Sequence, residues 1–444
     1  MSVVYATIAV ARQATFEILR KIARGKENSD SLLHSRRVDE LSPLDRNLCM
    51  TLVLGTLRWQ RVLDAECRRY LSRPDLVLPE DALLALRVGA YQLLFLDRIP
   101  AHAAIFESVE WTKHSEASRQ AGMVNAVLRK VAALPKPHGF DAEVAYPEWM
   151  VARWRKNYGK RACRSICEEG QREPRATLRL LTPEAGLALG DAGVVLQPGA
   201  FLTEARAAGT SVLPVAVEAQ FQDEGSQLVA ELLGKGHRML DCCAAPGGKT
   251  AVMSGNNPEA ELLACDIHEK RLAVMQQRLQ GLAAKNRIEY RVADATKLDD
   301  IGPFDRILCD VPCTGTGTLA RNPEIRHRLE PPEIARQAVR QRAILAATLP
   351  MLAPGGRLLY STCSLEPEEN EAVVEACLDA SEATRPGFRR LDLRAEFDRL
   401  TEQGIVGGAE VEELRATGFR DGYLRTLPGV HPCDGFFAAL IERL

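Results

Sequence analysis

Five residues carry the chemistry this sequence could perform. Asp241, Asp266, Asp294, Asp310 and Cys363 each follow a short run with strand character, over 238–240, 261–265, 288–292, 304–309 and 357–361. One acid at a strand end is commonplace. Four acids and a cysteine at successive strand ends are hard to explain as surface polarity, because ligands of open α/β sheets bind just outside the carboxyl ends of the strands. A carboxylate there can accept from both hydroxyls of a ribose. Asp266 follows the glycines of the preceding turn at about the 20-residue spacing of a nucleoside-binding acid. Asp294 is placed to accept from an adenine amino group or, on spacing alone, to cap the next helix.

The turn after the first of these strands reads Asp241-Cys242-Cys243-Ala244-Ala245-Pro246-Gly247-Gly248-Lys249-Thr250. Its Gly-Lys-Thr ending invites a nucleotide phosphate loop, but that motif needs glycine where Cys243 stands, so ATPase chemistry is excluded. Small residues and two glycines still let backbone approach a ligand closely; a tight strand-to-helix turn accounts for them equally well. Two further runs, Asp310-Val311-Pro312-Cys313 and Ser361-Thr362-Cys363-Ser364, put cysteines where cofactor charge and helix N-termini could favour a thiolate, the reactive form. Cys49, Cys67, Cys265 and Cys377 are expected in the core, where free cysteine is commonly found. Cys163 with Cys167, and Cys242 with Cys243, have no matching Cys/His pair at ligand spacing, so no metal is expected.

These residues need elements to hold them. From about residue 221 strand and helix patterns alternate, the signature of a doubly wound sheet. Residues 1–135 read instead as helices: Ile8, Ala11, Ile18, Leu19 and Ile22 recur at helical spacing, and Ser42-Pro43-Leu44-Asp45 supplies an N-cap, a first-turn proline and an early acid. Further helices are predicted over 79–96, 101–114 and 117–134, with a linker at 135–139. Between them, 145–220 combines a basic helix over 148–168 with short strands over 176–181, 194–196 and 212–217. The predicted organisation is therefore an all-α domain over 1–138, a small α+β domain over 139–220 and an α/β domain over 221–444.

Composition bounds the class. The chain has 444 residues, 46% hydrophobic and 26% charged, which suits a multidomain globular protein. No uncharged apolar run is long enough for a membrane span and no export signal is evident, so a cytoplasmic protein with reduced cysteines is expected. Charge is uneven along the chain: residues 1–140 hold 20 Lys+Arg against 15 Asp+Glu, whereas 221–444 hold 27 against 34. Arg153 to Arg164 contains six basic residues and no acid, interleaved with Trp154 and Tyr158. It reads as a phosphate-contacting stripe or, equally, as a solvated helix face.

In three places the sequence resembles a known family. Asp241 to Thr250, Asp310 to Gly317 and Ser361 to Asn370 are similar to the cofactor, Pro-Cys and Thr-Cys motifs of the RNA 5-methylcytosine methyltransferases, and Asp434-Gly435-Phe436-Phe437 extends the likeness. Residues 1–135 resemble the NusB RNA-binding fold, with Asn125-Ala126-Val127-Leu128-Arg129 matching its last helix. The pairing is that of bacterial 16S ribosomal RNA cytosine-5 methyltransferases. The resemblance implies a Rossmann-like methyltransferase sheet and S-adenosylmethionine as cofactor. It implies that Cys243, Ala244, Ala245, Pro246, Gly247, Gly248, Lys249, Asp266, Asp294 and Asp310 line the cofactor site. It also implies that Cys363 is the nucleophile, that Cys313 assists release, and that the partner is RNA, 16S rRNA or a small-subunit precursor, bound by a monomer without metal or membrane. Three features depart from the family pattern: the spacing across Leu391 to Arg420, Cys433, and Thr177 to Leu181, which lacks the usual Asn.

Cytosine carbon 5 is too weak a nucleophile to take a methyl group unaided, so a thiolate must first add at carbon 6. Asp310 is placed to hydrogen-bond ring nitrogen 3 and the exocyclic amine. The alternatives are a non-catalytic RNA-binding or assembly protein, or a cytosine-5 methyltransferase acting on tRNA or DNA. A DNA enzyme would attack with the Pro-Cys cysteine and leave Cys363 no task.

Overall fold

The computed structural model describes residues 8–25, 27–134, 139–209, 213, 217–283, 287–298, 301–384 and 387–444. It divides into two compact units, Met1–Glu173 with Leu319–Arg328, and Pro174–Thr318 with Leu329–Leu444. No helix among the described residues is long and apolar enough to cross a membrane.

The first unit is helical. Its main helices are Val10–Ala23, Pro43–Arg68, Glu80–Phe95, Ala101–Lys113, Ala121–Ala132 and Glu148–Glu169. Ser42 caps the second as its sequence predicts, accepting from Asp45 N at 3.2 Å. Helices pack closely where glycine replaces a side chain: a Cβ on Gly55 would lie 2.0 Å from the Tyr91 ring. Trp111 is buried and stacks on Phe16 at 4.6 Å between centroids. The basic helix departs from its predicted form, breaking at Gly159, whose φ of 81° lies in the left-handed region. Trp154 is buried against Tyr146 and Arg155 pairs with Glu143 at 2.6 Å. The exposed basic residues are thus not interleaved with an exposed tryptophan.

Leu319–Arg328 joins this helical unit although the chain on either side belongs to the other. Arg326 is buried over the Tyr146 ring and donates to the carbonyls of Gly170 and Leu319 at 3.0 and 3.1 Å. Glu324, equally buried, accepts from Ser29 N and Oγ at 2.9 and 2.8 Å. Nothing in the sequence pattern marks these contacts.

The second unit holds two sheets. In the smaller, β1 (Ala176–Leu180), β2 (Leu196–Pro198), β3 (Ala205–Ala208) and β4 (Ala219–Phe221) run antiparallel in the order β2-β3-β1-β4. The strand predicted over 212–217 falls largely outside the described residues, as does most of the predicted linker; β3 and β4 were not anticipated. Arg179 on β1 is buried and paired at 2.7 Å with Glu231 of helix Glu224–Leu232, which commits it to the interior.

The larger sheet is built from β5 (Arg238–Asp241), β6 (Glu261–Asp266), β7 (Arg287–Val292), β8 (Phe304–Asp310), β9 (Leu352–Thr362), β10 (Phe388–Leu391), β11 (Phe419–Arg420), β12 (Tyr423–Arg425) and β13 (Phe437–Arg443). The five predicted strands form its parallel part, in the order β9-β8-β5-β6-β7. The chain winds from β5 to one side and then restarts at β8 on the other, so the switch point lies between β5 and β8. β13 adds antiparallel to β9 and carries β12 and β10 on its far edge. The segment 391–420 packs Leu393, Phe397, Leu400, Val411, Leu414 and Phe419 into the same core as Cys433.

Removing Arg179 strands a buried carboxylate, so Arg179→Ala should cost about 3 to 5 kcal/mol in urea unfolding. The double variant Arg179→Met with Glu231→Leu should recover most of that loss. A single variant as stable as the parent would contradict the structural role.

Candidate active site

All five strand-end residues lie along one edge of the parallel sheet, in the spatial order Asp294, Asp266, Asp241, Asp310, Cys363. At ~4.8 Å between strands they span roughly 20 Å. This edge is long enough for a nucleoside at one end and a reacting base at the other.

Toward β7 the groups are acceptors. Asp266 is buried; its Oδ2 accepts from Ala245 N at 3.2 Å and its Oδ1 from His268 N at 2.8 Å. Each oxygen retains a second lone pair. Asp294 Oδ1 accepts from Thr296 N and Oγ1 at 3.0 and 2.8 Å, and these hydrogen bonds hold its carboxyl below the ordinary range. That is turn-capping geometry, the alternative its spacing allowed, although no helix follows directly.

The strand-to-helix turn follows β5, the next strand along the edge. Cys243 to Pro246 lead into Gly247, which adopts φ 99° and starts helix Gly248–Asn256. A Cβ at Gly247 would meet Met275 at 2.7 Å, so both the dihedral and the space require glycine. Arg271 braces the turn by donating to Ala245 O at 2.6 Å. Asp241 is fully enclosed beneath it and accepts from Thr250 Oγ1 at 2.7 Å; burial pushes its carboxyl up to about 7. Asp241 thus anchors the turn from below.

Toward β9 the groups change character. Lys249 reaches away from the turn to Asp310 Oδ2 at 2.7 Å, with its ammonium 4.9 Å from the Phe436 ring centroid. Burial would push Lys249 down, but Asp310, Cys363 and Asp241 together push it up, so it keeps its charge. Ser361 Oγ donates to Asp310 Oδ1 at 2.7 Å, fixing the second carboxylate oxygen. Cys313 and Cys363 meet here as half-buried free thiols, Sγ to Sγ 3.4 Å. Hydrogen bonding with Cys363, then burial, pushes the Cys313 thiol well up.

The loops carrying the two cysteines are tied together by backbone. Gly317 N donates to Cys363 O at 2.9 Å, and Gly435 N donates to Gly317 O at 2.8 Å. A Cβ at Gly317 would lie 2.2 Å from Gly435 O, which explains glycine at both places. Asn370 brackets Cys363, accepting from Thr362 Oγ1 at 2.5 Å and donating to Ser364 O at 2.9 Å. Sequence reasoning gave no role to Ser361, Gln341 or Glu369. Two of these lie within the quoted Thr-Cys motif, so position was legible and partnership was not. The cysteines expected in the core, Cys49, Cys67, Cys265 and Cys377, are buried.

Comparison with known proteins shows the family and agrees with the fold. A family model described as 16S rRNA methyltransferase RsmB/F matches residues 232–442, and the NusB family model matches 9–133. The probable ribosomal RNA small subunit methyltransferase B of Synechocystis sp. is 32% identical, covering 98% of this chain and 99% of its own. The ribosomal RNA small subunit methyltransferase B of Pseudomonas putida is 34% identical over 93% of this chain and 96% of its own. The crystal structure of PH0851 shares the fold, with a TM-score of 0.79, 22% identity and 98% coverage of both chains. The chain belongs to the RsmB/F family of S-adenosylmethionine-dependent methyltransferases, which methylate cytosine in 16S rRNA.

Proposed function

We propose that this chain methylates cytosine carbon 5 in 16S rRNA through a covalent adduct on Cys363, with Cys313 assisting release. The observation that carries the reading is the meeting of two free thiols beside an Asp310 carboxylate held by Lys249 and Ser361. In this reading residues 1–138 form the RNA-binding domain, 139–220 a smaller RNA-contact domain and 221–444 the catalytic domain.

The donor set suits the cofactor. Acceptors for ribose hydroxyls and an adenine amine, Asp266 and Asp294, stand at the β6 and β7 ends, and a close backbone turn from Cys243 to Lys249 separates them from the thiols. When bound, S-adenosylmethionine supplies an electrophilic methyl group. Asp266 would hold the ribose and Asp294 the base, with the turn facing the remainder.

The target base must leave its stack to reach this edge. The Cys363 thiolate then bonds through Sγ to carbon 6, the carbon 5–carbon 6 π pair shifts into the carbon 4–carbon 5 bond, and the carbon 4–nitrogen 3 pair moves onto ring nitrogen 3, which takes a proton from water. Asp310 accepts from that N–H and from the exocyclic amine, stabilising the charge as it moves. Its two tethers hold it in place beforehand, so little reorganisation is needed. After carbon 5 has taken the methyl group, its proton passes to water, the carbon 5–hydrogen pair restores the carbon 5–carbon 6 double bond as the carbon 6–sulfur bond breaks, Cys363 leaves as a thiolate, and nitrogen 3 returns its proton to water. Cys313 lies 3.4 Å from that sulfur and assists this step.

Cys363→Ala should abolish methylation and form no denaturant-resistant complex with RNA. Cys313→Ala should transfer the methyl group and then stall, accumulating such a complex in the presence of S-adenosylmethionine. A denaturing gel with labelled RNA reads both; an adduct in Cys363→Ala instead would reverse the two roles. A complex in neither variant, with methylation intact, would exclude cysteine catalysis.

Asp266→Ala should weaken S-adenosylmethionine binding by roughly 10- to 150-fold, the equivalent of 1.5 to 3 kcal/mol for charge-assisted hydrogen bonds. Calorimetry showing unchanged affinity would remove the ribose role.

A further inference from the structure

Behind the two cysteines lies a carboxylate that the mechanism above does not use. Glu369 is fully buried in the turn after β9. Its Oε1 accepts from Thr314 N and Gln341 Nε2, each at 2.9 Å. Its Oε2 accepts from the hydroxyls of Thr314 and Ser364, both in very short contacts. Gln341 Nε2 also donates to Pro312 O at 2.9 Å. Thr314 directly follows Cys313, and Ser364 directly follows Cys363. One side chain therefore clamps both cysteine loops by the residue next to each thiol.

We propose that Glu369 is the positioning residue of the two-cysteine centre, which sets the approach of the Cys313 and Cys363 loops and places a carboxylate behind Cys313.

The positional half follows from the hydrogen bonds. A buried carboxylate is expensive to desolvate, and burial pushes this one upward despite its donors. Four donors from three segments offset that cost only while all three segments stay in register. Losing the carboxylate would free the Pro-Cys loop to move relative to Cys363, and displacement on the scale of 1 Å can cost about 100-fold in rate.

The charge half follows from where Glu369 sits among its neighbours. The groups that interact with the thiol pair are Glu369 and Tyr360 at Cys313 and Lys249, itself paired with Asp310, at Cys363. Glu369 acts on Cys313 in the same sense as burial and Cys363, favouring its protonated form. Lys249, paired with Asp310 at 2.7 Å, keeps its positive charge in this centre. A buried carboxylate behind Cys313 thus opposes a second negative charge on that sulfur. Glu369 touches neither substrate nor cofactor in this arrangement; it acts through the cysteines.

The proposal rests on Cys363 being the nucleophile, and its test separates the two claims. The full-length protein and its Glu369→Gln, Glu369→Asp and Glu369→Ala variants are alkylated with iodoacetamide across pH, and modification of Cys313 and Cys363 is read separately by peptide mass. In the parent protein Cys363 should react at lower pH than Cys313. Glu369→Gln, which keeps the volume and removes the charge, should narrow that gap and slow adduct formation with cytosine RNA about 10-fold or more. Glu369→Ala should slow it about 100-fold, and Glu369→Asp should recover part of the loss while S-adenosylmethionine affinity stays within about twofold. If Glu369→Ala does not fold, Glu369→Gln decides alone. An unchanged reactivity gap and adduct rate in Glu369→Gln would overturn the role of Glu369. An adduct that persists in Cys363→Ala would overturn the nucleophile assignment instead, whatever the Glu369 variants do.

Discussion

The parallel pairing of β8 with β9 is the constraint on which the catalytic edge depends. Its register sets Asp310 opposite Ser361, so the chain leaves both strands at the same level and Cys313 and Cys363 arrive together, three and two residues further on. A slip of one residue would send the side chains of one strand to the opposite face. Burial on both sides resists that slip: Ile307, Leu308, Leu358 and Leu359 are all fully enclosed. Apolar packing in the middle of the sheet thereby fixes a polar geometry at its end.

Beyond the strand ends, regular hydrogen bonding stops and side chains take over its work. Ser361 and Lys249 hold Asp310, Asn370 brackets Cys363, and Glu369 joins the two loops. These groups are buried, and each would be costly if its partners were lost. The polar network consequently has one low-energy arrangement. Preorganisation of this kind suits a reaction in which charge moves over a flat ring, because donors and acceptors need not reorient as it develops.

The parallel strands and the acids that end them were legible in the sequence because period, length and strand-end chemistry agree there. The cysteine pair was legible as two motifs at a distance of fifty residues; their contact was not, since it depends on β-register. The outermost additions beyond β9 escaped notice because β11 and β12 are only two and three residues long and are held by pairing, β11 on β12 and β12 on β13. The burial of Arg179 was not legible, because its partner Glu231 lies 52 residues away, a contact that no local pattern encodes. The basic run from Arg153 to Arg164 read as one helix because Gly159 sits inside an otherwise periodic stretch, and only the backbone shows the break.

The account stands or falls on which sulfur bonds to the base. RNA carrying 5-fluorocytosine at the target position lacks the carbon 5 proton whose loss releases the enzyme, so the unmodified protein should remain attached after methyl transfer. Protease and nuclease digestion followed by peptide mass analysis then locates the nucleotide. The account predicts it on the peptide containing Cys363; finding it on Cys313 would contradict the account.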